Sequence, residues 1–251
     1  MDLNWKLTDK DIFHVHSFRC GHAEDVSDEA YIKKAIELGA ESIWFSDHAP
    51  FPGDYFRGRM RLDQLDEYIS TLSDLKEKNK DKIAVHIGLE IEYLPSFDKA
   101  GYYAELKDKE GLEFFLLGQH FAEDPDDPGK YTFEWEKDRV EEHEFEVMGK
   151  AIVEGVKTGY FDAVAHPDRI YRRCAEWNDK MDKIAGDILG EAKERKLAIE
   201  LNMHSVKSKN LYWPEFWEQA TGYDPMLVVI KGLDAHSIKD FVKRFERMKK
   251  Y

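Results

Sequence analysis

Along the chain, short runs rich in β-branched and aromatic residues alternate with longer runs whose apolar residues recur every three to four positions. The strand candidates are residues 11–16, 42–47, 83–93, 114–121, 161–166, 198–202 and 227–234. The clearest helix follows Ser27, a good N-cap; it carries Asp28 and Glu29 in its first turn and is stopped by Gly39. A second sets Leu62, Leu65, Ile69, Leu72 and Leu75 on one face and runs into the solvated stretch 76–82. Further helices are expected over 140–157, 179–195 and 237–250, with shorter patterns at 97–110 and 214–221. No Pro/Gly/Ser-rich boundary interrupts the seven strand–helix pairs. They point to one α/β domain over residues 1–251, built as a TIM-like βα barrel.

Composition narrows the partners. The 51 acidic and 37 basic side chains leave a net charge of −14, which argues against long nucleic acid. Hydrophobic residues make up 42%, enough for a packed core. No apolar run approaches the roughly 20 residues of a membrane span, so no membrane partner is expected. The stretch Met1–Lys6 shows no apolar segment after a basic one, so no secretory signal is expected. Cys20 and Cys174 lie far apart and read as two reduced thiols of a cytoplasmic protein.

The ten histidines are unevenly placed, seven of them in or just after a strand candidate. His14 and His16 are two apart, and a period of two puts both on one face. His48 follows the second strand. Glu90 lies toward the end of the third, His120 ends the fourth and His166 the fifth, and Asp234 with His236 ends the seventh. The sixth carries Glu200 and Asn202 on one face. In a βα barrel all these positions converge on the C-terminal rim, where active sites of such folds are built. A lone strand-end histidine is more often a hydrogen-bonded structural group. Recurrence at six of seven strand ends instead points to metal, with donors that suit Zn, Mn or Fe and too many of them for one ion. Elsewhere plainer readings hold. His143 among glutamates is solvated, His86 is a packed core histidine one layer below the rim, Cys20 is a lining thiol, and the stretch 212–217 is core. His204 reads equally as substrate contact or surface.

The run from Phe13 to Ala23, with His14, His16 and His22, followed by Phe45-Ser46-Asp47-His48-Ala49-Pro50-Phe51, resembles the PHP family of metal-dependent phosphoesterases. Gly88-Leu89-Glu90, Gly118-Gln119-His120, His166-Pro167-Asp168, Ile199-Glu200-Leu201-Asn202 and Gly232-Leu233-Asp234-Ala235-His236 agree in order, so the resemblance spans residues 12–238. It implies the PHP fold, a distorted (βα)7 barrel, with three divalent transition-metal ions. On that pattern His14, His16, Glu90 and Asp234 hold one ion. Glu90, bridging, holds a second with His120 and His166, and His22, His48 and His236 hold the third. Residues 199–207 and the Asp47–Phe51 segment most resemble the stand-alone histidinol-phosphate phosphatases. Leu233 and the loop Met203-His204-Ser205 with Lys207 depart from that branch, where a serine, a glycine and an arginine are expected.

The resemblance implies a metal-dependent phosphatase that takes a small phosphorylated substrate. L-histidinol phosphate, cleaved to L-histidinol and phosphate by a metal-bridging hydroxide, is the first expectation. Another phosphomonoester or a nucleotide phosphodiester is the alternative. Glu90, His48 and Asp234 carry the catalytic weight. Arg169, Arg172 and Lys207 are candidates to hold the phosphoryl oxygens, with Glu200, Asn202 and His204 as further substrate contacts. The net charge does not oppose an anionic substrate, because three ions would bring about +6 into the pocket and surface charge is screened within about 8 Å.

Overall fold

A computed structural model describes residues 6–223 and 225–251; the reading of the first residues as carrying no secretory signal falls on 1–5 and lies outside them. Seven parallel strands follow one another in chain order: β1 (Asp11–Val15), β2 (Ser42–His48), β3 (Ala84–Ile91), β4 (Phe114–Leu117), β5 (Ala163–Val164), β6 (Ala198–Asn202) and β7 (Val229–Gly232). Past β7, Leu233 N donates to Phe13 O at 2.8 Å and His16 N to Ala235 O at 3.0 Å, which brings the first strand back to the last. The expected distorted (βα)7 barrel is thereby formed.

The helices are α1 (Asp28–Glu37), α2 (Leu65–Asn79), α3 (Pro95–Lys99), α4 (Tyr102–Lys107), α5 (Lys137–Thr158), α6 (Asp179–Arg195), α7 (Pro214–Thr221) and α8 (Ile238–Met248). None is long and apolar enough to cross a membrane among the described residues. The single helix expected over 97–110 is two, broken at Gly101. Ser27 occupies the N-cap of α1 without a capping hydrogen bond from its side chain, whereas Asn178 and Ser237 cap α6 and α8 through theirs.

Two apolar layers result. Phe13, Trp44, Phe114 and Leu116 fill the barrel interior, and the small residues Ala163 on β5, Ala165 just past it and Ala198 on β6 leave them room. The larger layer lies between strands and helices. His86 is not packed in the core as expected: it is half-buried, its ring stacked 3.8 Å from that of Trp44 and its Nδ1 3.0 Å from Glu113 Oε2. The 212–217 stretch does join the core through Trp213, Phe216 and Trp217.

β1 departs from simple alternation. Ile12 pairs with Ile43 but Val15 with Phe45, so one extra residue sits in β1, and His14 takes φ 67°. Ile12 and Val15 face the helix layer while Phe13 faces the interior. Strict alternation would set His14 opposite Phe13; the bulge lets Phe13, His14 and His16 all turn inward.

Candidate metal centre

All nine proposed ligands come together where the strands end. His14 Nε2 lies 2.9 Å from His16 Nε2 and 3.3 Å from Glu90 Oε2, and His16 Nε2 is 3.5 Å from Asp234 Oδ1. The other oxygen, Glu90 Oε1, is 2.8 Å from His166 Nε2 and 3.6 Å from His120 Nε2. The two oxygens of Glu90 therefore face two separate groups of donors. His48 Nδ1 sits 3.2 Å from Glu90 Oε2, and the His22 ring lies 4.5 Å from His236 and 5.3 Å from His48. Among the described residues, donor atoms lie mutually within 4.8 Å in five triads: His14 with His16 and Asp234, His14 with Glu90 and His166, His48 with Glu90 and His120, His16 with His48 and His236, and Cys20 with His22 and His236. Only the first falls within one of the three ion sets that the resemblance implies.

The backbone is shaped for this convergence. His14, His166 and Asp234 have φ of 67°, 28° and 51°, a region that costs a non-glycine residue free energy and that is retained where surrounding structure over-determines it. Glycines make the room: a Cβ on Gly118 would stand 2.1 Å from Glu90 Oε1, and one on Gly232 1.6 Å from Glu200 Oε1.

The donors fit divalent metal. Ligands about 2.0–2.1 Å from a tetrahedrally bound ion lie roughly 3.3 Å apart, close to the separations above. Among the described residues, Glu90 Oε2 and His236 Nε2 are buried without hydrogen-bond partners, as expected of atoms that bind something else. Protonation states agree. Burial works against ionised Glu90 and Asp234, but the surrounding histidines, His14 foremost, hold both carboxyls well below the usual range. Burial, reinforced by neighbouring histidines, lowers His16 and His236 to about 3 and His48 well below its ordinary value. Neutral imidazole and ionised carboxylate are the states that ligate metal. His14 is the exception. Burial favours its neutral form, yet Glu200 and Glu90 raise it well above its ordinary value, so a bound cation would have to displace a proton there.

The substrate candidates separate. Arg169 lines a cavity of about 520 Å³ over the centre and donates to Asp234 Oδ2 at 3.1 Å. Arg172 instead turns back to His120 O at 3.0 Å and to Glu144, and Lys207 is exposed and outside the lining. Glu200 is fully buried behind His14, its Oε1 2.6 Å from His14 Nδ1 and its Oε2 accepting from His166 N and Asn202 Nδ2, both at 3.1 Å. Glu200 and Asn202, expected as substrate contacts, are buried behind His14 and His166 and outside the cavity lining. His204, half-buried, approaches Asp234 Oδ2 to 3.7 Å. Cys20 is buried beside His22 and His236, both cysteines are free thiols, and His143 is exposed among its glutamates as expected.

Some functional residues escaped the sequence reading. Glu92 holds His120 Nδ1 at 2.9 Å and is itself gripped by Arg59 at 2.9 and 3.1 Å. Full burial works against the Glu92 carboxylate, but the Arg59 guanidinium and the hydrogen bond with His120 hold its carboxyl at about 2. The available signal was the phase of Glu92, one residue past β3, with Glu90. Nothing in the loop after β2 marked Tyr55, Arg57 and Arg59 as cavity lining. Asp168, from the His166-Pro167-Asp168 motif, faces α7 instead, accepting from Trp217 Nε1 at 2.8 Å and Trp213 N at 3.1 Å; burial pushes its carboxyl up to about 7.

Comparison with known proteins agrees with this architecture. The family model described as PHP domain matches residues 13–204. The chain is 29% identical over 163 residues to the "Probable histidinol-phosphatase" of Deinococcus radiodurans, covering 62% of this chain and 59% of that one. It is 30% identical over 91 residues to the histidinol-phosphatase of Bacillus subtilis, 34% of each. The match thus spans less than two thirds of these relatives. A crystal structure of hisK from Listeria monocytogenes superposes with TM-score 0.73 at 19% identity, covering 92% of this chain and 96% of that chain. A histidinol phosphate phosphatase from Lactococcus lactis, solved with Zn, L-histidinol and phosphate, superposes with TM-score 0.67 at 20% identity, covering 96% and 94%. At such identities the likeness establishes the fold.

Proposed function

This chain belongs to the PHP domain family, and we propose that it is a metal-dependent phosphatase that hydrolyses L-histidinol phosphate to L-histidinol and phosphate. The observation that carries the reading is the nine-residue His/Asp/Glu centre beneath a cavity that also presents Arg169. Relatives named histidinol-phosphatases support the substrate. His14, His16, Glu90 and Asp234 would hold one ion, Glu90, His120 and His166 a second, and His22, His48 and His236 a third, each Zn, Mn or Fe. When bound, such ions neutralise a phosphate dianion and acidify water near neutral pH.

The residues of the chain do the rest. Glu90, whose two oxygens face different histidines, would help to hold two of the ions. Asp234 is shared between the histidines and Arg169, whose remaining guanidinium N–H groups would donate to the phosphoryl oxygens of a substrate in the cavity. Glu200 and Glu92 fix the rings of His14 and His120. The two free thiols suit a reducing, cytoplasmic setting.

The test is phosphate release by the purified, metal-loaded chain over a panel that includes histidinol phosphate, p-nitrophenyl phosphate, other monoesters and a nucleotide phosphodiester. Histidinol phosphate is expected to exceed p-nitrophenyl phosphate at least about tenfold in kcat/KM, about 1.4 kcal/mol of differential transition-state binding. Equal rates on both would overturn the substrate, preference for the diester would favour the alternative phosphoesterase, and no release from any ester would overturn the activity.

A further inference from the structure

The cavity over the metal centre has two unlike sides. One is the polar rim of histidines with Asp234 and Arg169; the other is aromatic, built from Tyr55 and Phe56 in the loop after β2 and from Phe121 and Phe133 after β4. Phe56 and Phe121 are buried, with rings 4.8 Å apart, and Phe133 meets Phe121 edge-on at 5.2 Å. Tyr55 and Phe133 are left in water, 75% and 53% exposed. Single exposed apolar residues need no explanation, but two large rings in the lining of one cavity form a patch that a ligand would cover.

Charge decides what that ligand carries. The lining holds two carboxylates, Glu92 and Asp234, and each is ion-paired to an arginine, Glu92 to Arg59 at 2.9 Å and Asp234 to Arg169 at 3.1 Å. Arg57, exposed in the same lining, forms no ion pair among the described residues. No lining carboxylate is thus free to meet a leaving-group ammonium, and an unmatched cation stands nearby. A flat, uncharged ring has none of these difficulties, and it gains area and face or edge contact against tyrosine and phenylalanine.

We propose that the leaving group is recognised through a planar ring set against Tyr55 and Phe133, and not through an amine. The inference rests on the phosphatase reading above and adds the residues that read the leaving group: Tyr55 and Phe133, acting on its ring and not on its amine. A cavity of about 520 Å³ accommodates a phosphoryl group at the rim with a five- or six-membered ring on the far wall.

The experiment compares three esters on the metal-loaded chain: histidinol phosphate, its amine-free imidazolylethyl analogue, and phosphoethanolamine, which has the amine without the ring. Wild type is expected to hydrolyse both ring esters with kcat/KM at least about tenfold above phosphoethanolamine. Tyr55→Ala and Phe133→Ala should each lower the ring esters about tenfold more than they lower phosphoethanolamine, with Phe133→Tyr restoring most of the difference. Equal losses on all three esters, or an amine-free analogue no better than phosphoethanolamine, would overturn the proposal while leaving the phosphatase standing. If no ester is hydrolysed, the phosphatase reading itself falls, and calorimetric binding of the amine-free ester then decides: a Kd unchanged by Tyr55→Ala overturns the ring contact.

Discussion

Glu200 Oε1 lies 2.6 Å from His14 Nδ1, with both side chains fully buried. The contact leaves Nε2 of His14 as the ring nitrogen that faces Glu90 and His16. A carboxylate behind a histidine fixes the ring and makes it a stronger ligand. Glu200→Gln keeps the size and loses the charge, and is expected to weaken metal binding or activity about 10- to 100-fold with the fold intact. Metal titration of the refolding-competent variant checks it; unchanged affinity would make Glu200 a packing residue.

The chain is expected to bind about three divalent ions after reconstitution, and Glu90→Gln is expected to be the most damaging single ligand change because its two oxygens face two donor groups. Chelation should remove activity and lower the melting temperature, since ions that bind only the folded chain stabilise it by mass action. Elemental analysis reading less than one ion per chain would sink the assignment.

Arg169→Ala is expected to lower kcat/KM at least about tenfold, with Arg169→Lys recovering part, because the guanidinium lines the cavity. Lys207→Ala should change it less than about twofold, since Lys207 is exposed and outside the lining. Steady-state kinetics on the two variants separates them; the opposite order would place the phosphate elsewhere.

At the opposite end of the barrel, Glu113 accepts from Lys76 at 2.7 Å and lies 3.0 Å from His86 Nδ1. Burial works against its charge, but His86 and Lys76 hold its carboxyl below the ordinary 4.5. The unfolded chain therefore takes up this proton at higher pH than the folded one, so the stabilisation is present above about 4.5 and is lost as pH falls through the lower folded value. Glu113→Gln is expected to cost about 1 kcal/mol at neutral pH and to cost progressively less in acid. Urea unfolding of both proteins at pH 7 and pH 3 measures the difference, and a constant gap would refute the linkage.

Seven alternations of apolar period were enough to read the barrel, and histidines and carboxylates at the strand ends were enough to read where the ligand-type side chains gather. Both follow from local rules: backbone period sets which residues share a face, and parallel strands joined by helices carry all their ends to one rim. Strand 6 and helix α6 fall where the pattern put them. Tertiary structure decided what depends on partners far apart in the chain. Glu200 shares a face with Asn202 by its period, but its role comes from His14, 186 positions away. Arg172 is as basic as Arg169 and three residues on, yet packing against Glu144 on α5 turns it from the cavity. The bulge at His14 arises from pairing with β2, and the aromatic wall from two loops that meet only when the barrel closes. Periodicity records the direction of a side chain from its own backbone, whereas its contacts depend on where the rest of the chain brings a neighbour.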